Sequence, residues 1–299
     1  MPTRREFLAT SAAIAVANPS LRTLADDAKP PPSLAREVGV TMSSLQRLEA
    51  DGKPLKISIL DWPRILRDEL DMRVIDLNSG VLESLEPAYL DRVRAAADKA
   101  GCILTNVKVN RGDVDIGNAD PTVCANAIVE MKRWIDGASR LGLRWARPLP
   151  LKTKPDMTAY IAAYRELADY AAERKVQMLI ENYGWMDSDA EAVPKLLSEI
   201  GKNVAPCPDT GNWSNSEVRY AGLAKIFPLA PTCDFKAGKL GPDGQHAAWD
   251  LKRCFTIAWD AGFRGPWCLE HANTDRATLF RELALLRDLL RAWMAERGA

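Results

Sequence analysis

The chain has 299 residues, 47% of them hydrophobic and 27% charged, an ordinary globular composition that excludes collagen, coiled coil and wholesale disorder. Forty Lys and Arg balance forty Asp and Glu, so no basic field exists to attract a phosphate backbone, and nucleic acid is excluded as a partner. Six cysteines without a CxxC pair exclude a disulfide scaffold and a zinc clamp, and no run approaches the ~18 to 20 apolar residues of a membrane-spanning helix, so no membrane anchor is expected in the mature form.

The first element in chain order is a leader, set apart from the fold. Arg4-Arg5-Glu6-Phe7-Leu8 places a charged pair ahead of a weakly apolar, small-residue run over 9–17. This resembles a twin-arginine export signal, which implies passage of the folded chain through the Tat export machinery and a periplasmic or secreted location. Cleavage after Ala17 and cleavage after Ala25 both remain open. Lys29-Pro30-Pro31-Pro32 reads as a stiff linker, because proline fixes φ and cannot continue a helix. Residues 1–32 are therefore signal and linker, and residues 33–299 one domain.

From Arg36 onward, short β-rich runs alternate with longer amphipathic segments. Strands are expected over 37–41, 72–77, 102–109, 143–149, 176–182, 204–209, 232–236 and 266–270, with 56–60 as an alternative first strand. Helices are expected over 87–99, 122–141, 157–175, 191–200, 248–261 and 275–297, and Gly101, Gly142 and Gly262 supply left-handed stops that lead into the next strand. Eight βα units in roughly 265 residues predict an α/β fold, a single (β/α)8 TIM barrel. A doubly wound open sheet is the alternative, disfavoured because the chain has neither GxGxxG after the first strand nor GxxxxGK[ST].

In such a barrel the site gathers at the C-terminal strand ends, and four expected strands end in acids: Glu181, Asp209, Asp234 and Glu270. Side chains repeat every second residue along a strand, so Cys207 and Asp209 share a face, as do Cys268 and Glu270, and Asp234 and Lys236. The cysteines then fill the layer beneath the acids. Four carboxylates crowded together repel, and a divalent cation such as Mn²⁺, Mg²⁺, Co²⁺ or Zn²⁺ relieves the repulsion. Taken singly, each acid could instead pair with an arginine or cap the following helix.

Four stretches share a resemblance: Leu179-Ile180-Glu181-Asn182-Tyr183-Gly184, Cys207-Pro208-Asp209-Thr210-Gly211-Asn212-Trp213, Asp234-Phe235-Lys236, and Ala261-Gly262-Phe263-Arg264-Gly265-Pro266-Trp267-Cys268-Leu269-Glu270. They look like the xylose isomerase-like, or sugar phosphate isomerase/epimerase, TIM-barrel superfamily. The resemblance implies one divalent metal on Glu181, Asp209 and Glu270, with the two glutamates doubling as an acid/base pair. At the fourth ligand position the family has His within His-x-Lys, and here stands Asp234-Phe235-Lys236. An all-carboxylate set is more negative and harder than one with imidazole.

Epimerising a carbon next to a carbonyl needs a base to remove a proton and an acid to return one on the other face, roles suited to Glu181 and Glu270. Lys236 either hydrogen-bonds the reacting oxygen or neutralises Asp234. Arg147, near the end of the fourth strand, is a candidate to orient substrate, and Asn182 and Asn212 follow candidate ligands and suit sugar hydroxyls. Asp76 reads as a helix cap. The chain has two histidines, too few for a three-zinc phosphodiesterase. His246 lies on a loop that can fold over the mouth, and His271 should face away from Glu270. The absence of a glycine-rich phosphate loop, with export, points to neutral or oxidised sugars as the small-molecule substrate. The first reading is metal-dependent isomerisation or epimerisation of a keto-sugar. The alternatives are a 3-keto-glycoside lyase or hydratase, and a non-catalytic carbohydrate-binding barrel. The sugar, the metal and the oligomeric state are left open.

Overall fold

The computed structural model describes residues 32–238, 240–241 and 244–298. The expected export signal, and the linker apart from Pro32, lie outside them. Eight strands form at the expected places: β1 Val38–Thr41, β2 Val74–Asn78, β3 Ile103–Val109, β4 Trp145–Pro148, β5 Gln177–Glu181, β6 Val204–Cys207, β7 Cys233–Gly238 and β8 Trp267–His271. The first strand is Val38–Thr41, and the alternative at 56–60 is not a strand. Their spatial order is β6-β5-β4-β3-β2-β1-β8-β7, with every neighbouring pair parallel. This is the expected barrel rather than the doubly wound sheet.

The curve closes between β6 and β7 through one parallel bridge, Asp209 with Asp234. There Thr210 N donates to Asp234 O (3.1 Å) and Asp234 N to Pro208 O (2.8 Å). Pro206 and Pro208 lack N–H donors, and a strand so interrupted belongs at the seam of a sheet. The seam therefore sets two of the candidate acids side by side.

Helices α1 Trp62–Leu70, α2 Pro87–Lys99, α3 Pro121–Leu141, α4 Met157–Ala172, α5 Ala192–Ile200, α6 Ser216–Ile226, α7 Leu251–Asp260 and α8 Arg276–Glu296 pack outside the strands. Side chains of Asp120, Asp156, Asn215, Asp250 and Asp275 accept backbone N–H bonds at the starts of α3, α4, α6, α7 and α8, satisfying donors that a helix leaves unpaired. Helices α1 and α6 were not expected from the sequence. The first is short and opens on Trp62-Pro63, with Trp62, Leu66 and Leu70 on its buried face among four charged residues, whereas the second buries Arg219 and Gly222 beside Leu223, Ala224 and Ile226 and has no clean apolar stripe. Among the described residues, no helix is long and apolar enough to cross a membrane.

Two apolar layers flank the strands. The outer one fills the space under the helices. The inner one is small: Leu34, Val74, Trp145, Leu179, Ala205, Cys207 and Cys268. Both cysteines lie in it, as strand alternation requires. Leu34 is fully buried and plugs the end where the strands begin. There Ser33 O accepts from Arg73 Nη2 (2.9 Å) just before β2, and Arg36 N donates to Arg264 O just before β8.

Strand β3 breaks the alternation. Its register against β2 shifts between Ile75↔Leu104 and Leu77↔Val107, so β3 holds one extra residue, a bulge. Leu104, Val107 and Val109 all lie in the outer layer and Ile103 packs on the inner one. A strict period of two from Ile103 would send position 108 outward. The bulge turns Lys108 into the barrel instead.

Candidate active site

Above the inner apolar layer the barrel is filled with charge. Asp76 from β2, Lys108 from β3, Arg147 from β4, Glu181 from β5, Asp209 beyond β6 and Asp234 from β7 are all buried. Lys236 and Glu270 are half-buried at the mouth. Each acid has a cation beside it. Arg147 forms an ion pair with Glu181 and donates to Asn110 Oδ1 (3.2 Å). Lys236 Nζ lies 3.3 Å from Asp209 Oδ2, 2.7 Å from Glu270 Oε1 and 3.0 Å from Asn212 Oδ1. Lys108 Nζ donates to Asp234 Oδ1 and to Thr41 Oγ1 (3.1 Å), and stands 3.2 Å from Asp76 Oδ2 and 3.9 Å from Glu270 Oε2.

The expectation for Asp76 is corrected. It caps no helix: Val74 faces the inner layer, Asp76 shares that face two residues on, and it is fully buried beside Lys108. The cap of the following turn is Asn78, whose side chain accepts from Gly80 N. Lys236, assigned to Asp234 as one of its two readings, instead holds Asp209 and Glu270, because Lys108 already occupies Asp234. Strand alternation gave no sign of Lys108. The one signal in the sequence is a lysine set between Val107 and Val109 in an otherwise buried run.

Asn212 Nδ2 donates to Glu181 Oε1 (2.8 Å), so Asn212 touches both Glu181 and Lys236. Asn182 uses its amide on the backbone: Oδ1 accepts from Asp209 N (2.8 Å), and Nδ2 donates to Asp209 O (2.9 Å) and Asn212 O (3.3 Å). It holds the loop after β6 in place. Asp209 Oδ1 accepts from Gly211 N (2.6 Å) and Asn212 N (2.9 Å), which fixes the carboxylate in a tight turn. His246 lies apart from the charged cluster, stacked on Trp249 at 3.4 Å, with Nδ1 accepting from Ala248 N. His271 faces away from Glu270, as expected, and contacts Glu282 of α8 at 2.7 Å.

Burial pushes the Asp209 carboxyl up to about 8 against the pull of Lys236, and Asp76 up to about 7 against that of Lys108. Burial also raises Glu181, opposed by Arg147. For Glu270 burial acts upward too, but Lys236 and Lys108 outweigh it and hold the carboxyl below its ordinary range. Lys108 stays charged because Asp234, Asp76 and Glu270 outweigh its burial.

One oxygen from each of Glu181, Asp209 and Asp234 lies within 4.8 Å of the others, close enough to converge on one ion. Two observations fit a hard divalent cation there. Glu181 Oε2 is buried and receives no hydrogen bond, only the ion pair with Arg147. Five carboxylates also meet only three cationic side chains in the cluster, so two acids have no cation of their own, and all donors are oxygens. A cavity of about 430 Å³ lined by Tyr183, Asn212 and Trp213 adjoins the cluster through Asn212, and another of about 450 Å³ is lined by Arg47, His271, Asn273 and Glu282, away from the charged cluster. Both are of small-ligand size.

Residues 69–295 match the family described as xylose isomerase-like TIM barrel, and the chain belongs to that family. Similar folds include a D-psicose 3-epimerase with D-tagatose from Clostridium cellulolyticum H10 (14% identity, 86% of this chain and 98% of that one, TM-score 0.66). They also include a 3-keto-D-glucoside 4-epimerase from E. coli (15%, 85% and 99%, 0.65). A third is a xylose isomerase-like TIM barrel protein from Mycobacterium smegmatis in complex with magnesium (18%, 89% and 98%, 0.64). No curated protein matches the chain.

Proposed function

We propose that this member of the xylose isomerase-like TIM barrel family is a metal-dependent isomerase or epimerase that moves a proton at the carbon α to the carbonyl of a keto-sugar or related carbohydrate. The observation that carries this reading is the convergence of Glu181, Asp209 and Asp234 at the strand ends, with Glu270 tied to Asp209 through Lys236. Relatives of the same fold include two sugar epimerases and a magnesium complex, in keeping with it.

A divalent ion held by Glu181, Asp209 and Asp234 would supply positive charge to the oxygen that becomes an enediolate as the proton leaves. The chain's own groups do the rest. Glu181 and Glu270 stand on β5 and β8, with two strands between them in the barrel, and so address a sugar from different sides. Glu270, with 19% of its side chain exposed against 4% for Glu181, is the one that reaches the mouth and takes the proton. Glu181, aimed by Asn212 and Arg147, returns one on the other face. Lys236 orients Glu270 and donates to a substrate oxygen. The export signal belongs to the same reading: the enzyme works on unphosphorylated sugar in the periplasm, and Arg4 and Arg5 replaced together by Lys should leave it in the cytoplasm.

Incubation with keto-sugars in D₂O and Mn²⁺ should place deuterium α to the carbonyl of an intact sugar of altered configuration, read by mass spectrometry. Glu181→Gln or Glu270→Gln should slow exchange about 10²-fold or more. An unsaturated or hydrated product would replace the epimerase by a lyase. Exchange at the wild-type rate in both variants would remove the glutamates from the chemistry.

A further inference from the structure

Lys108 lies on the floor of the charged cluster, wholly buried, and takes no part in the reaction proposed above. Its ammonium nevertheless touches three of the five carboxylates there. The pattern at Asp234 is lopsided. Oδ1 accepts a hydrogen bond from Lys108, whereas Oδ2 has only the thiol of Cys207, 3.9 Å away. The carboxylate thus has one oxygen committed to an internal cation and one left facing a weak donor, and one of its oxygens lies within 4.8 Å of oxygens of Glu181 and Asp209.

Two cations that share one carboxylate repel each other, and each reduces the charge available to the other; in a buried, low-dielectric site both effects are strong. Arg147 and Lys236 do not compete in this way at Asp234, since they pair with Glu181, Asp209 and Glu270. Thr41, the remaining partner of Lys108, is a neutral hydroxyl. The β3 bulge turns the Lys108 side chain into the barrel, so its direction is built into the backbone.

We propose that Lys108 is a positioning residue that competes with the divalent ion for Asp234, keeping the barrel floor folded without metal and making metal binding weak and exchangeable. This rests on the metal reading of the preceding section. It differs from a merely structural role in its sign, because removing a structural residue loosens a metal site and removing a competitor tightens it.

The test is Mn²⁺ affinity of the full chain, read from the electron paramagnetic resonance signal of the free ion. Lys108→Met should bind Mn²⁺ at least tenfold more tightly than the wild type, and Lys108→Arg, which keeps the charge, should stay within about threefold of it. Lys108→Met strands Asp76 as well as Asp234 and so lowers stability. Its companion is therefore Lys108→Met with Asp76→Asn, which also removes the carboxyl group that loss of the ammonium would strand. The double variant should also gain at least tenfold. If the wild type binds Mn²⁺ and the folded double variant binds it no more tightly, the competition is disproved while the metal site stands. If Lys108→Arg gains as much as Lys108→Met, charge is not the cause and the proposal fails. If neither the wild type nor any variant binds Mn²⁺, the metal reading falls and takes this inference with it.

Discussion

The two halves of the barrel bring different chemistry to one mouth. Strands β2 to β4 contribute Asp76, Lys108 and Arg147, all deep and already paired with one another or with acids opposite. From β5 to β8 come Glu181, Asp209, Asp234, Lys236 and Glu270, four acids and a lysine at or near strand ends, and both residues that approach solvent, Lys236 and Glu270, are among them. The first half is a buried counter-charge, and the second is the face that reaches the mouth. A barrel can hold several carboxylates close together before any metal arrives because the opposite wall supplies cations.

The sharpest way to break this division is to remove a cation from the first half. Arg147→Met should leave Glu181 buried without its partner and lower unfolding free energy by about 3 to 5 kcal/mol, since removing one member of a buried ion pair strands the other. Urea denaturation measures it, and a loss below about 1 kcal/mol would mean that Glu181 is not held by charge. A subtler change separates positioning from stability in the second half. A Cβ at Gly211 would stand 2.6 Å from Lys236 Cδ, so Gly211→Ala should push the lysine off Asp209 and Glu270. We expect stability to change by about 1 kcal/mol or less, as for a flexible side chain that can move aside, while deuterium exchange slows severalfold. Wild-type exchange in that variant would leave Lys236 without a role at the mouth. The smallest effect is expected at Asn106 on the bulged strand, whose buried amide has no partner at either end. Asn106→Leu should be neutral within about 1 kcal/mol, because replacing an unpaired polar group by an apolar one of similar shape costs little. A large loss would show that Asn106 is bonded after all.

The same division explains what was legible in the sequence. Alternation and glycine stops gave all eight strands, and the acids of the second half stood out because they end strands at intervals of one βα unit. Lys108 did not, because a bulge leaves no mark in a pattern that is read with period two. Asp76 was misread for a related reason: an acid near a strand end before a turn looks like a cap, and only the partner on β3 reveals it as half of a buried pair. Helix α6 carries no stripe to detect, since it buries Arg219, which donates to the carbonyls of Thr210 and Trp213 on the loop after β6.

The plug formed by Leu34 sets a direction for the whole molecule. Ser33 and Leu34 sit where the strands begin, so the described chain starts at the base, a strand's length from the acids at the strand ends. An affinity tag, a surface linker or a fused partner joined directly at Pro32 would hold the protein by its underside, leaving the mouth free while the base is held. Immobilised through that end, the protein should exchange substrate as freely as it does in solution.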